Sequence, residues 1–586
     1  MHFIQLSSYF EKLEATSSRL SLIDILSDLF KHSISSEIGK IVYLTQGRIA
    51  PFFEPTEIGM AEKNVAQAMA VAYRSKKEDV LKLYGKLGDM GLVATQLSAK
   101  LKVKSSKLTV GEVFEILTKI AKTSGEGTVE KRQTLFSELL KKLDPISAKH
   151  LVRIPLGNTR LGIGDPTVLD GLALAKLGDR SKRKLLEGAY NRTSDLGLIA
   201  ETLWSRGLKD VEKLEVQVGK PIRSELCERL PNPEKAIEKM KIVDVQYKYD
   251  GFRVAIHKDG DKVSMFSRNL ENMTHMFPEL IEGTLKQVKA KTAILDCEAL
   301  AYNPESEEFL PFQETTKRRR KHGIKEMAAK LPLKAFVFDL LYKDGKSYID
   351  VPLAERLKVL SKTITENGIL IPTKHQTIDD PKKLSIILDD AISKGLEGVV
   401  IKKLDSHYEA GGRNFNWVKL KRATSGELND TIDCVILGYI FGKGKRTAFG
   451  AGALLVGVYD SKNDEFVTVS KIGTGLTDEE WREIHKRADK IKVDHKPARV
   501  NSVIVPSVWI RPSIVIEVLA DEITRSPIHT AGAVINNEVK EPGYALRFPR
   551  LVSFRTSDKK AEDATTVREL IDMYNLQMSH QKRKKK

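Results

Sequence analysis

Residues 242–257 read IVDVQYKYDGFRVAIH, and within them Val243, Val245, Tyr247 and Tyr249 alternate with Asp244, Gln246, Lys248 and Asp250. A period of two marks a strand with one face turned to a core, so Lys248 falls on the polar face at a strand end. Asp250-Gly251 supplies a turn signal, and VAIHKDGDKVSMFSR continues as strand, turn and strand. A lysine in such a place is ordinarily a solvated residue beside a hairpin. What singles this one out is the string KYDGFR at 248–253, which fixes a lysine, an aspartate, a glycine and an arginine at set spacing.

Downstream, FSRN at 266–269 puts Arg268 just past a strand, where a guanidinium can fork onto a sugar or a carboxylate. AILDCEAL at 293–300 is apolar enough for a buried strand, yet Asp296 and Glu298 share one of its faces. Buried carboxylates are costly unless paired, hydrogen-bonded or metal-bound, so two in one run suggest a site. KRRRKHG at 317–323 reads as a basic solvated loop or a nonspecific phosphate contact. KAFVFDLLY at 334–342 is a strand carrying Phe338, and GLEGVVIKK at 395–403 sets Glu397 at the mouth of an apolar strand. In RNFNWVKLKR at 413–422, Trp417, Lys419 and Lys421 share one face and Val418 and Leu420 the other. Two lysines projecting together look like a phosphate clamp.

A chain of 586 residues is too long for one hydrophobic core, and domain sizes suggest about three to four units. A net charge of +18 implies a polyanionic partner, most simply nucleic acid, with an anionic membrane as the alternative. No apolar run of about 18 residues exists, which argues against a membrane span. The opening MHFIQLSSYFEKLEATSSRL lacks signal architecture, so a cytoplasmic rather than secreted protein is expected. Cys227, Cys297 and Cys434 stand alone, which excludes a disulfide framework and a four-cysteine zinc site.

Residues 1–212 read as helical, with apolar positions spaced at three and four. Within them, HLVRIPLGNTRLGIGDPTVLDGLALA gathers Gly157, Gly162 and Gly164 around Arg153 and Arg160; this is an interhelical loop or, given the basic charge, a DNA contact. Pro221, Pro231 and Pro233 mark residues 213–235 as a linker. From 236 to 422 strands alternate with shorter helices. Residues 423–586 shift to short strands and glycine-rich turns, which suit a five-stranded oligonucleotide-binding (OB-fold) barrel. A short amphipathic helix, TVRELIDMYNL, and a tail, QKRKKK, expected to be disordered, close the chain.

KYDGFR, FSRN, LDCEA, FVFDLLY, EGVVIKK and WVKLK follow one another in the order seen in covalent nucleotidyltransferases, and RFPR…DKKAEDATT resembles the final motif of ATP-dependent DNA ligases. Nearly the whole chain resembles the three-domain replicative ligase of archaea and eukaryotes, most like the compact archaeal form. The resemblance implies an all-α DNA-binding domain, an α+β adenylation domain with antiparallel sheets, and an OB-fold barrel. It makes Lys248 the nucleophile that becomes AMP-linked, Gln246 the reader of adenine at a position often held by glutamate, and Phe338 the ring stacked on the base. Arg268 and Glu298 match ribose-side groups, Glu298 and Glu397 the acids around magnesium or manganese, and Arg253, Arg413, Lys419 and Lys421 phosphate contacts. Three steps are implied: Lys248 attacks ATP, AMP passes to the 5′-phosphate at a nick in duplex DNA, and the 3′-hydroxyl displaces AMP. Such an enzyme serves replication, repair and recombination as a monomer, with a sliding clamp as a possible partner.

The residues support this on physical grounds. A free lysine, with a pKa near about 10.4, is only about 0.1% neutral at pH 7, so a nucleophilic lysine needs nearby positive charge or desolvation. Lys419, Lys421, Arg253 and a magnesium ion would supply that charge. Two stretches depart from the family pattern. PIRSELCERL at 221–230 differs from the expected proline-methionine-leucine-alanine string, and one extra residue separates Arg555 from Asp558-Lys559. Arg550, Arg555, Asp558 and Lys559 are therefore all candidates for the final motif, and a bulge could restore both partners. A capping guanylyltransferase or RNA ligase would leave the helical region and the RFPR run unexplained. An NAD-dependent ligase would bring a four-cysteine module that is absent here, and a non-enzymatic nick-binding scaffold would have no use for an intact KYDGFR.

Overall fold

The computed structural model describes residues 1–584 apart from 101–106, 302–314, 321, 366–367, 394–395, 422–429, 442–450, 474–475, 521, 527, 537, 548 and 556–557. The glycine-rich turn at 442–450 and the last two residues of the basic tail therefore lie outside the described residues.

The first 212 residues are helical, from Phe3–Glu14 to Leu208–Glu212. Their ends are set by local chemistry. The Ser18 hydroxyl accepts from the Ser21 N–H, Asp144 accepts from Ile146 and Ser147 ahead of Pro145, and Thr109 with Glu112 forms a capping box. The apolar faces share one core that includes Leu26, Phe30, Leu169 and Leu172. Beside it, Lys149 bridges Glu11 and Glu14 at 2.6 and 2.9 Å, and His150 lies 2.7 Å from Glu11. That cluster of acids is already neutralised by its own cations.

The middle of the chain is built on two sheets. One contains β1 (Leu226–Arg229), β2 (Val243–Lys248), β9 (His375–Ile378), β10 (Gly398–Lys403) and β11 (Arg413–Lys421), in the order β1-β11-β10-β2-β9. The other contains β3 (Phe252–Asp259), β4 (Lys262–Ser267), β5 (Thr292–Ala301), β6 (Leu333–Lys343) and β7 (Lys346–Ser347) in the order β4-β3-β5-β6-β7, with β8 (Leu370–Pro372) beside β6. Both sheets are mainly antiparallel, but β1 pairs with β11 and β6 with β8 in parallel. The stretch read from its prolines as a linker thus supplies an edge strand and the start of the helix Pro233–Met240 to this domain. Each sheet has its own core, one holding Val243, Val245, Val399 and Val418, the other Val254, Leu295, Val337 and Leu340.

The last region is a curled seven-stranded sheet of β12 (Ile432–Ile440), β13 (Ala453–Asp460), β14 (Glu465–Ile472), β15 (Lys492–Val493), β16 (Val500–Asn501), β17 (Val508–Leu519) and β22 (Arg550–Phe554). Between β17 and β22 lie two small ribbons, β18 (Glu522–Ser526) with β21 (Gly543–Arg547) and β19 (Val534–Asn536) with β20 (Glu538–Glu541). Strand β12 is buried on both faces: Cys434 and Ile436 enter one core, Val435 and Leu437 another. The terminal helix runs from Val567 to Lys584, so residues 581–584 of the basic tail continue the helix where disorder was expected. Among the described residues no helix is long and apolar enough to cross a membrane.

Candidate active site

Strand register assembles the cleft. On the first sheet Gly398 of β10 is flanked by Lys248 of β2 and Lys421 of β11, and one step in, Val400 is flanked by Gln246 and Lys419. Side chains two apart share a face, so Gln246, Lys248, Lys419 and Lys421 line one wall together. Only glycine fits at 398: its φ is 143°, and a Cβ there would lie 2.2 Å from the Leu420 carbonyl oxygen. The chain then crosses to the second sheet at once through Asp250-Gly251. Gly251 approaches so closely that a Cβ would lie 2.3 Å from the Ala299 oxygen. Arg253, Arg268, Glu298 and Phe338 form the opposing wall.

Lys248 does not lie in a purely cationic setting. Its Nζ is 2.6 Å from Glu397 Oε2, and Lys421 is 3.3 Å from the same oxygen. Burial alone would lower the Lys248 pKa, but Glu397, backed by Glu298, outweighs burial and Lys421 and holds it above its ordinary value. The expectation that surrounding cations lower this pKa is thus reversed, because a carboxylate sits closest. Glu397 stays ionised despite burial under the pull of Lys248 and Lys421, and it also bonds Asp250, whose carboxyl is pushed up to about 6 by burial and by Glu397. The Glu397 main-chain N–H donates to the Lys248 carbonyl at 3.2 Å, which locks the pair.

Glu298 differs from its neighbours. Burial pushes its carboxyl up to about 7, and it has no ion pair or hydrogen bond among the described residues. A half-buried carboxyl that makes no direct ion pair among the described residues, within electrostatic reach of Lys248, Arg253 and Glu397, leaves its oxygens available to a hard divalent ion. Asp296 does not share that role: Arg253 grips it twice, at 2.9 and 2.5 Å, and the Tyr408 hydroxyl donates to it at 2.8 Å.

Arg253 also donates to the Glu225 carbonyl at 2.6 Å and lies 5.2 Å from the Phe338 ring centre, so its donors serve the wall itself. Phe338 meets Trp417 edge-on at 5.9 Å, and behind both rings the buried Lys402 ammonium sits 3.9 Å from the Trp417 centre and donates to the Phe338 carbonyl. Lys402 carried no signal in the sequence beyond its place in an apolar strand.

The C-terminal region closes over the cleft with carboxylates. Glu569, buried at the start of the terminal helix, pairs with Arg413 and lies 3.7 Å from Lys419. Against the cost of burial, those two cations hold its carboxyl down at about 2. Thr566 fixes it further, since both the N–H and the hydroxyl donate to Oε2. Burial lowers Lys419 to about 8, with Glu569 opposing. Asp563 takes Arg268 at 3.1 Å, Asp430 takes Lys421 at 3.4 Å and pairs with Arg229, and Arg568 reaches Glu228 at 3.3 Å. Every expected phosphate cation of the cleft except Arg253 is thus answered from the far side. Glu569 could not be found from local pattern, because its partners lie about 150 residues earlier in the chain.

Of the final-motif candidates, Arg550 opens β22 and the other three follow it. The Asp558 and Lys559 N–H groups both donate to the Arg555 carbonyl, at 3.1 and 2.9 Å, and residues 556–557 between them lie outside the described residues. Arg555 pairs with Asp558 at 2.9 Å and acts electrostatically on Asp250, whereas Lys559 pairs with Asp433 of β12; all three of Arg555, Asp558 and Lys559 line the cleft. Arg550 is exposed at the strand start.

Of the two arginines of the glycine loop, Arg153 is 2% exposed, with its donors spent on Glu14 and Asp89, so it is an internal strut. Arg160, at φ 58°, donates to the Gly88 carbonyl at 3.0 Å. Likewise Arg318 of the basic loop is fully buried against Glu279 instead of solvated. A different set of cations stays unpaired: Arg48, Arg511 and Lys560 line a cavity with Gly157, Thr159 and Gly164, and burial lowers all three. None has an ion pair among the described residues.

Comparison with known proteins agrees with this geometry. Residues 2–173 match the family description DNA ligase N terminus, 224–421 match ATP dependent DNA ligase domain, and 447–559 match ATP dependent DNA ligase C terminal region. A probable DNA ligase of Dictyoglomus turgidum is 47% identical over 98% of this chain and 97% of its own. One of Dictyoglomus thermophilum is 46% identical over 98% of both, and a DNA ligase of Sulfolobus acidocaldarius 41% identical over 98% of both.

Proposed function

The chain belongs to the ATP-dependent DNA ligases, and from that premise we propose that the cleft carries out the covalent chemistry of nick sealing with Lys248 as its nucleophile. What carries this reading is the strand register that sets Lys248 and Lys421 on either side of Gly398 and on one oxygen of Glu397, with Lys419 and Arg413 further along the strand of Lys421. The amine of Lys248 attacks the α-phosphorus of ATP, a P–N bond forms, the α–β P–O bond breaks and pyrophosphate leaves. AMP then passes to the 5′-phosphate of the nick, and the 3′-hydroxyl displaces AMP to close the strand.

Arg413, Lys419 and Lys421 face the phosphates, where placed positive charge stabilises the developing and departing anions. Gln246 and Phe338 face the base, and Arg268 the sugar. Arg253 acts by bracing Asp296 and the Phe338 ring. Glu298 and Glu397 would hold magnesium or manganese, which when bound supplies positive charge at the α-phosphate and occupies the carboxylate that otherwise retains the Lys248 proton. Lys559 is the cation we assign to the pyrophosphate.

The glycine loop with Arg160, together with Arg48, Arg511 and Lys560, is read as the phosphate-contacting surface for duplex DNA, supported by Arg48, Arg511 and Lys560, which line one cavity and have no ion pair among the described residues. The curled C-terminal sheet is read as an OB-fold that covers the nick. The test is incubation with α-labelled ATP and magnesium, then nicked duplex. Label should become covalent on Lys248 and be discharged as the nick closes; unlabelled protein that nevertheless binds nicks would establish the scaffold alternative.

A further inference from the structure

Asp244, Gln246 and Lys248 alternate along β2, so all three project from the same face. Asp244 is fully buried, and Gln246 is 2% exposed. Gln246 Nε2 donates to Asp244 Oδ2 at 2.8 Å, and Asp244 Oδ1 lies 2.8 Å from Nδ1 of His375 on the adjoining strand β9. That second bond raises the His375 pKa, and the nearby Lys402 ammonium adds a further cation within reach of Asp244.

An ionised carboxylate only accepts hydrogen bonds, so the amide end that meets Asp244 has to be the NH2. The Gln246 carbonyl oxygen is thereby turned away from Asp244. It has no hydrogen bond among the described residues, in a side chain that lines the cleft with Phe338, Val400 and Trp417. A glutamine left to itself could present either end to a ligand; this one is denied the choice. A purine with an exocyclic amine at C6 offers a donor to that oxygen. A purine with a C6 carbonyl sets acceptor against acceptor and leaves both lone pairs unsatisfied out of water.

Resting on the reading of the cleft as the nucleotide site with Gln246 at the base, we propose that Asp244 and His375 are positioning residues that lock Gln246 as an acceptor and so select 6-amino over 6-oxo purine nucleotides. The test compares kcat/KM for self-nucleotidylation of the full chain with α-labelled ATP and α-labelled ITP. In Asp244→Asn the new carboxamide can donate to the Gln246 oxygen and turn its NH2 toward the base. The ATP-to-ITP ratio should then fall at least about tenfold, with ITP gaining in absolute terms. His375→Ala, at a half-exposed edge position, should move the ratio the same way by about threefold, because Asp244 loses the donor that fixes it.

A merely structural role would lower both nucleotides alike, and that outcome overturns the proposal. So does an unchanged ratio in variants that melt like wild type. Should Asp244→Asn fail to fold, His375→Ala decides. Wild type labelled by neither nucleotide would sink the reading of the cleft itself, whereas wild type labelled from ATP with indifferent variants sinks only the lock.

Discussion

Replacing Glu569 by Gln tests whether the terminal helix competes with nucleotide for the phosphate cations. Glutamine keeps an oxygen for the Thr566 N–H and hydroxyl, so the start of the helix should survive, while the charge that faces Arg413 and Lys419 is gone. The carboxyl falls from an ordinary 4.5 to about 2 in the closed form, which at 1.36 kcal/mol per decade is about 3 kcal/mol of net attraction. If triphosphate and Glu569 exclude one another, that attraction weakens ATP by up to about a hundredfold, since a ligand must meet the cost of the state it displaces. Part of it returns when the freed carboxylate is solvated, so the expected fall in the KM for ATP is about tenfold to a hundredfold. Rapid-quench labelling from α-labelled ATP across concentrations, at one low salt concentration, reads this directly. In wild type, added salt should narrow the gap by loosening the pair. A KM unchanged in Glu569→Gln, with labelling otherwise normal, would show that the helix already stands clear of the phosphates in solution.

Lys248→Ala should abolish labelling from ATP while leaving some sealing of nicks that already carry 5′-AMP; any label retained on the protein would identify a different nucleophile. Lys559→Ala should slow labelling of Lys248 far more than sealing of pre-adenylated nicks, whereas Arg555→Ala, close in charge to Asp250, should impair both; rapid-quench data showing normal labelling for Lys559→Ala would reverse the assignment. Glu225 is fully buried, one of its oxygens has no partner, and burial pushes its carboxyl from 4.5 up to about 8. An acid raised in the folded state holds its proton there after the unfolded chain has lost it. Stability from this group is therefore greatest below about 4.5 and drains away as pH rises to about 8. Glu225→Gln should accordingly gain on wild type in thermal melts between about pH 5 and pH 9, by a few kcal/mol or less, and a gap that stays constant with pH would refute the buried titration.

The wall that carries Lys248 was legible because its information is local: alternation gives the strand, Asp250-Gly251 gives the exit, and the i, i+2 rule puts Lys419 with Lys421. Register between strands distant in sequence is not local. The meeting of Lys248 and Lys421 across Gly398 could be reached only through resemblance, and the reversed pKa of Lys248 could not be reached at all. Burial decides the rest. Arg153 and Arg318 look like nucleic-acid contacts in a basic chain, but each faces a carboxylate brought from another element. The strand Leu226–Arg229 hid among prolines because its partner, β11, lies about 190 residues later.

The closure over the cleft, finally, is made of charge: Arg268 with Asp563, Arg413 with Glu569, Arg568 with Glu228. Swinging such a face away wets ions instead of hydrocarbon, and hydrocarbon wetting is what gives unfolding its large positive heat capacity. The enthalpy of opening should therefore change little with warming, so the balance between open and shut molecules should follow a nearly straight van't Hoff line where an apolar hinge would give a curved one. A titration calorimeter should accordingly find an opening heat that hardly varies from one temperature to the next.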